Sequence, residues 1–230
     1  MIVARNAALY WRYLMTAKTD RSEKPLKSNR WFATFWDWMS AHEPKKSLEM
    51  RKEIVGGATG RVLEVGCGTG ASFALYSADA EVVATEPDAE MLQRAEKHLK
   101  EKGITNVELR RAAAQGIDFE DGSFDTIVSC LVFCHVGDDA PVALAGFKRL
   151  LKPDGSFRFM EHVRNDDSRF GGKFQDLVNP LWKRILGAGC NCNRRTRKAI
   201  EEAGFEIEWV KREPTFPPTS PVIYGVARPR

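Results

Sequence analysis

Three glycines at alternate positions stand in Val62-Leu63-Glu64-Val65-Gly66-Cys67-Gly68-Thr69-Gly70. Glycine tolerates positive φ and leaves the main chain bare, so a ligand can lie against peptide groups where a Cβ would collide. Glu86 closes the next apolar run about 20 residues after Gly66, where a carboxylate can accept both hydroxyls of a ribose. Glu64 precedes the loop by two residues. An acidic group there repels a pyrophosphate but pairs with a cationic amine. The loop reads G-x-G-x-G, whereas nicotinamide dinucleotide sites usually read G-x-G-x-x-G. The expected ligand therefore carries a ribose and a positive charge. His135 and His162 each follow an expected strand, and an imidazole there can move a proton near neutrality. Cys130 and Cys134 are four apart and Cys190 and Cys192 two apart, a spacing that matches no common zinc finger. They are read as small core residues, with no metal expected.

The elements that must position these groups alternate along the chain. Strands are expected at Arg61–Val65, Glu81–Thr85, Val107–Arg111, Phe124–Val132 and Ser156–Glu161, with Pro153-Asp154-Gly155 as a turn. A helix is expected to start within Ala71–Tyr76. Another carries Met91, Leu92, Ala95 and Leu99 as its stripe, opens at Asp88 and stops at Gly103. Further helices are expected from Asp138 or Asp139 to about Leu151, over Phe174–Leu186, and from Arg194 to Ala203 with Asn193 as cap. Phe205–Lys211 and Val222–Ala227 close the chain as an antiparallel pair. This pattern predicts an α/β fold with a mainly parallel sheet covered on both faces. Ligands then bind beyond the carboxyl ends of the strands, where strand order reverses. Residues 1–55 read as an arm and helical cap, and 56–230 as the ligand-binding domain.

The 230 residues suit one such domain, and 43% hydrophobic residues supply a sizeable core. A net charge of +4 gives no argument for nucleic acid. No apolar run reaches about 18 residues, so no spanning helix is expected. Arg5 and Arg12 interrupt the apolar stretch at the start, so no signal peptide is expected. Five cysteines, an odd number, suit a reducing cytoplasmic compartment. Residues 1–30 are basic and carry Tyr10, Trp11 and Tyr13. They suit an arm packed on the domain or a peripheral contact with acidic lipid. The tract holding Trp31, Phe32, Phe35, Trp36 and Trp38 suits core, or a lid that makes an acceptor pocket apolar.

Glu64-Val65-Gly66-Cys67-Gly68-Thr69-Gly70, Glu86-Pro87-Asp88, Asp121-Gly122-Ser123-Phe124-Asp125 and Leu150-Leu151-Lys152-Pro153-Asp154-Gly155 resemble the successive motifs of class I S-adenosylmethionine (SAM)-dependent methyltransferases of the type 11 domain group. The resemblance implies a Rossmann-like, seven-stranded, mostly parallel sheet with a C-terminal antiparallel strand. It implies that Glu64, Gly66, Cys67, Gly68 and Gly70 hold the methionine part of SAM. Glu86 and Pro87 would take the ribose, Ala114 and Gln115 would border the adenine, and Leu131 would lie beneath the methionine. Phe159-Met160-Glu161-His162-Val163, Gly189-Cys190-Asn191 and Ile223-Tyr224-Gly225 resemble a narrower group, the methyltransferase-like seven proteins. Those are membrane-associated alkyl-thiol S-methyltransferases with bacterial relatives often labelled phospholipid methyltransferases. That likeness puts Trp36, Cys190 and Asn191 on the acceptor side.

The expected reaction moves the methyl of SAM to a small lipophilic acceptor, with a thiol as first choice and S-adenosylhomocysteine as product. A thiol with an ordinary pKa of about 8.5 is already partly thiolate near neutrality, so a strong base is optional. His162 or His135 would take the proton or orient the acceptor. Glu161 would hold the His162 ring, face the sulfonium, or pair inside the fold. The rivals are an N-methyltransferase of phospholipid or small amines, and a protein that binds SAM without turnover. Oligomeric state is left open by the sequence.

Overall fold

The computed structural model describes Ala33, Thr34, Asp37 and residues 42–185, 190–215 and 217–230. The basic arm and Trp36 lie outside the described residues, as do residues 186–189. Seven strands form one sheet: β1 (Arg61–Val65), β2 (Glu81–Thr85), β3 (Val107–Arg110), β4 (Phe124–Cys130), β5 (Leu151–His162), β6 (Phe205–Glu213) and β7 (Val222–Pro229). Their order is β3-β2-β1-β4-β5-β7-β6. The first five run parallel, and β7 is antiparallel to both β5 and β6. Strand order reverses between β1 and β4, so the crevice at their carboxyl ends is the ligand position that such topology favours.

Among the described residues from 42 onward the α-helices are α1 (Lys45–Val55), α2 (Ala89–Lys102), α3 (Phe133–Val136), α4 (Ala140–Leu150), α5 (Gly171–Ile185) and α6 (Thr196–Glu202). The period of two along β1 splits its side chains between two cores. Leu63 and Val65 join Phe124, Phe147, Phe157, Phe159 and Phe205 on one face. Val62 joins Met50, Ile54, Phe73, Tyr76 and Val128 on the other. Glu64 shares the face of Val62 and is a buried carboxylate in an apolar layer. Asp88 caps α2 as its sequence predicts, accepting from Glu90 N and Met91 N, and Gly103 ends it at φ 64°.

Three local expectations are corrected. No α-helix follows the glycine loop: Phe73–Leu75 makes a single 3₁₀ turn, and Tyr76 is already extended. Only residues 71–80 separate the loop from β2, which is too short for a full crossover helix. Pro153-Asp154-Gly155 lies inside β5, as an irregularity opposite Asp125. Asp125 accepts there from Lys152 Nζ at 2.6 Å and from Arg61 N at 2.9 Å. Asn193 does not cap α6; its amide donates to Asp176 at 2.9 Å, and the helix begins only at Thr196.

Candidate active site

The glycine loop leaves β1 and turns back on itself. Cys67 N donates to Thr85 O and Gly70 N to Cys67 O, both at 2.9 Å. Gly66, Gly68 and Gly70 all have positive φ, at 65°, 58° and 92°. At two of them the need for glycine comes from protein neighbours. A Cβ on Gly66 would lie 2.8 Å from Val132, and one on Gly70 would lie 2.4 Å from the Phe73 ring. The loop is thus folded tightly against the segment that follows β4, across the point where strand order reverses.

Two carboxylates bracket this loop. Glu86, at the end of β2, accepts from Gly68 N and Asp88 N at 3.0 Å each. Its remaining lone pairs stay available for hydroxyl donors. Burial raises its pKa, and the two backbone amides work against that rise. Pro87 is half-buried next to it, and its carbonyl accepts from Arg111 Nε at 3.1 Å. Glu64 is fully enclosed, and burial pushes its pKa up although Ser72, Tyr76 and Arg51 stand nearby. Its Oε2 has no hydrogen-bond partner. An unpaired buried carboxylate oxygen is costly, and a cationic ligand group would relieve that cost. The Cys67 thiol is also buried, and burial with both carboxylates pushes its pKa up, so it is no nucleophile.

Arg51 is a buried charge beside the loop that the motifs do not reveal. It is buried, pairs with Glu43 at 2.9 Å and donates to Ser72 Oγ at 3.4 Å. It thereby ties α1 to the turn after the glycine loop. A sequence signal existed, because Arg51 precedes Ile54 and Val55 by three and four residues and so shares their buried helix face.

Ala114 and Gln115 occupy a 3₁₀ turn after β3; Ala114 is buried and Gln115 half-buried. Leu131 follows β4 with φ 62°, the one positive φ on a non-glycine among the described residues. Its N–H donates to Met160 O at 2.8 Å, which holds the unusual backbone in place. Glu161 on β5 is wholly buried and pairs inside the fold. It accepts from Ser129 Oγ at 2.8 Å, Val132 N at 3.0 Å and Phe133 N at 3.1 Å. Burial pushes its pKa up to about 8. Its contacts anchor the start of α3 and leave the carboxylate no contact with His162.

The remaining predicted residues meet in one place. His162 is buried at the end of β5, with Nε2 3.8 Å from Cys190 Sγ, and burial pulls its pKa down to about 4. His135 lies on α3 with its side chain exposed and Nδ1 2.9 Å from Cys134 Sγ. Asn191 turns inward, its N and Nδ2 both donating to Cys134 O at 2.9 and 3.1 Å. That amide positions Cys190 against α3.

The whole-chain comparison decides the family. The human (Homo sapiens) protein "Thiol S-methyltransferase TMT1B" is 32% identical over 228 residues, covering 95% of this chain and 85% of that one. The chain belongs to the family of these methyltransferases. Within it, residues 63–159 match the family described as "Methyltransferase domain". A shorter likeness, 37% over 108 residues, joins this methyltransferase to "Phosphatidylethanolamine N-methyltransferase" of Cereibacter sphaeroides, covering 46% of this chain and 53% of that one. Among solved structures, "Geranyl diphosphate methyltransferase in complex with SAM" shares the fold with a TM-score of 0.63, at 15% identity over 81% of this chain and 85% of that one. The methyltransferase is a SAM-dependent enzyme of the class I fold, with the glycine loop and both flanking carboxylates at the fold's ligand crevice.

Proposed function

We propose that this methyltransferase transfers the methyl group of SAM to the sulfur of a small lipophilic thiol. When bound, SAM supplies an electrophilic methyl carbon on a sulfonium. The unpaired Oε2 of Glu64 fits the α-amine of the donor, and the glycine loop with Cys67 fits its methionine part. Glu86 and Pro87 would face the ribose, Ala114 and Gln115 the adenine, and Leu131 the methionine.

One observation carries the choice of sulfur. The side chains gathered at the ends of β4 and β5 offer imidazoles and thiols, while the buried Glu161 carboxylate accepts from three internal donors. An ammonium or an alcohol must be helped to lose its proton before it can attack, whereas a thiol ionises partly by itself. His162 needs only to accept or steer that proton. The likeness to a thiol S-methyltransferase over 95% of this chain agrees with this chemistry.

Incubation of the enzyme with labelled SAM and matched alkyl thiols, amines and phenols tests the reading. Thiols should be methylated fastest, with a rate that rises with pH as the thiolate fraction grows. Faster turnover of amines would favour the phospholipid-type reading. SAM uptake by calorimetry with no methylation of any acceptor would favour a binding protein.

A further inference from the structure

We propose that Cys134, His135 and Cys190 form a binding site for a thiophilic divalent cation such as Zn²⁺, with one coordination position left open. Their ligand atoms all lie within 4.8 Å of one another. Around a tetrahedral Zn²⁺, sulfur and nitrogen ligands stand about 3.3–3.8 Å apart, from bonds of about 2.3 and 2.0–2.1 Å. The Cys134 Sγ to His135 Nδ1 separation is 2.9 Å, so modest rotamer changes bring the set to that spacing. Two thiols and an imidazole are the donor types that select zinc over the hard cations.

The scaffold holds these donors together. Asn191 binds the Cys134 carbonyl through both its N–H and its side-chain amide, and Asn179 Nδ2 donates to Asn191 Oδ1 at 3.2 Å. Cys190 is thereby fixed against α3, although it is far from Cys134 in sequence. Both cysteines are buried while His135 is exposed, which leaves the cation one side open to an incoming ligand. His162 lies outside the triad but within 3.8 Å of Cys190 Sγ, where it orients that sulfur rather than ligating. Two cysteines, one histidine and an open fourth position are a donor set that catalytic zinc sites use. The inference stands on this cluster and does not depend on which acceptor is methylated.

The test uses the full chain, reduced, stripped of metal and titrated with Co²⁺. One equivalent should bind, with thiolate-to-cobalt charge-transfer absorption in the near ultraviolet and the strong visible bands of tetrahedral Co²⁺. Zn²⁺ should displace it. Cys190→Ser should abolish the charge-transfer band or weaken Co²⁺ binding by about 100-fold or more, beyond the range typical of outer-shell changes. Cys192→Ser and His162→Gln should still bind one equivalent. Bound Zn²⁺ should also shield two cysteines from alkylation, identified by mass spectrometry as Cys134 and Cys190. Absence of the charge-transfer band in the reduced wild-type chain overturns the proposal. So does a Cys190→Ser chain that binds Co²⁺ as tightly as wild type with an undiminished band.

Discussion

Glu86 shows how one side chain can serve the fold and the ligand together. Its carboxylate fastens Gly68 N and Asp88 N, so it fixes both the glycine loop and the entry to α2 before any ligand arrives. Glu86→Ala should therefore weaken SAM by about 1–3 kcal/mol, the range for hydrogen bonds to charged groups. Calorimetry reads that loss directly, and unchanged affinity would remove Glu86 from the site. Leu131 carries a different signature. A left-handed backbone on a leucine costs about 1–2 kcal/mol, and such strain tends to persist where function needs it. Leu131→Gly relieves the strain but deletes the apolar wall. The melting temperature should hold or rise while SAM affinity falls. A variant that binds SAM normally would make the strained residue purely structural.

At the scale of elements, α5 and the residue before it carry the exposed large apolar side chains among the described residues. Phe170, Phe174, Leu177 and Leu181 follow helical spacing and are all exposed, Leu177 at 79%. Exposure means that Leu177 contributes little to folding, so Leu177→Glu should leave the melting temperature within about 1–2 °C of wild type. A large drop measured by calorimetry would show that the face is covered within the chain. The elements also show what can be seen from sequence. Asp88 and Gly103 delimit α2 because capping and left-handed termination are local chemistry. The glycine loop, Glu64 and Glu86 were legible for the same reason, as short motifs on strand ends. The missing helix after Gly70 was not, since the aromatic packing of Phe73 against the loop is tertiary. Nor could spacing bring Cys190 to His135, because Asn191 and the Cys134 carbonyl make that contact across α3 and a distant loop.

For the whole molecule, the buried ionisable groups set how stability depends on pH. Glu161 holds its proton until about pH 8 in the folded state, because burial disfavours its charge. In the unfolded chain a glutamate loses its proton near pH 4.3. Between those values folding takes up a proton, so raising the pH removes stability, by up to about 1.4 kcal/mol per pH unit for each such group. Glu64 and Glu86, also raised, act with the same sign. His162 acts oppositely: burial pulls its pKa down to about 4, so the unfolded chain binds more protons below about pH 6.5 and stability rises with pH there. Above about pH 7 the effect of His162 fades and Glu161 dominates. Cys67, Cys130 and Cys134, pushed up, add to its effect as the thiol range approaches, and Cys190, pulled down beside Cys134, opposes it there. The metal-free, ligand-free chain should therefore lose about 1–2 kcal/mol of stability between pH 6.5 and 8, a fall in melting temperature of about 2–6 °C. Calorimetric scans across that interval check it, and a flat or rising profile would mean that Glu161 is ionised throughout, with Ser129 and the amides of Val132 and Phe133 outweighing its burial.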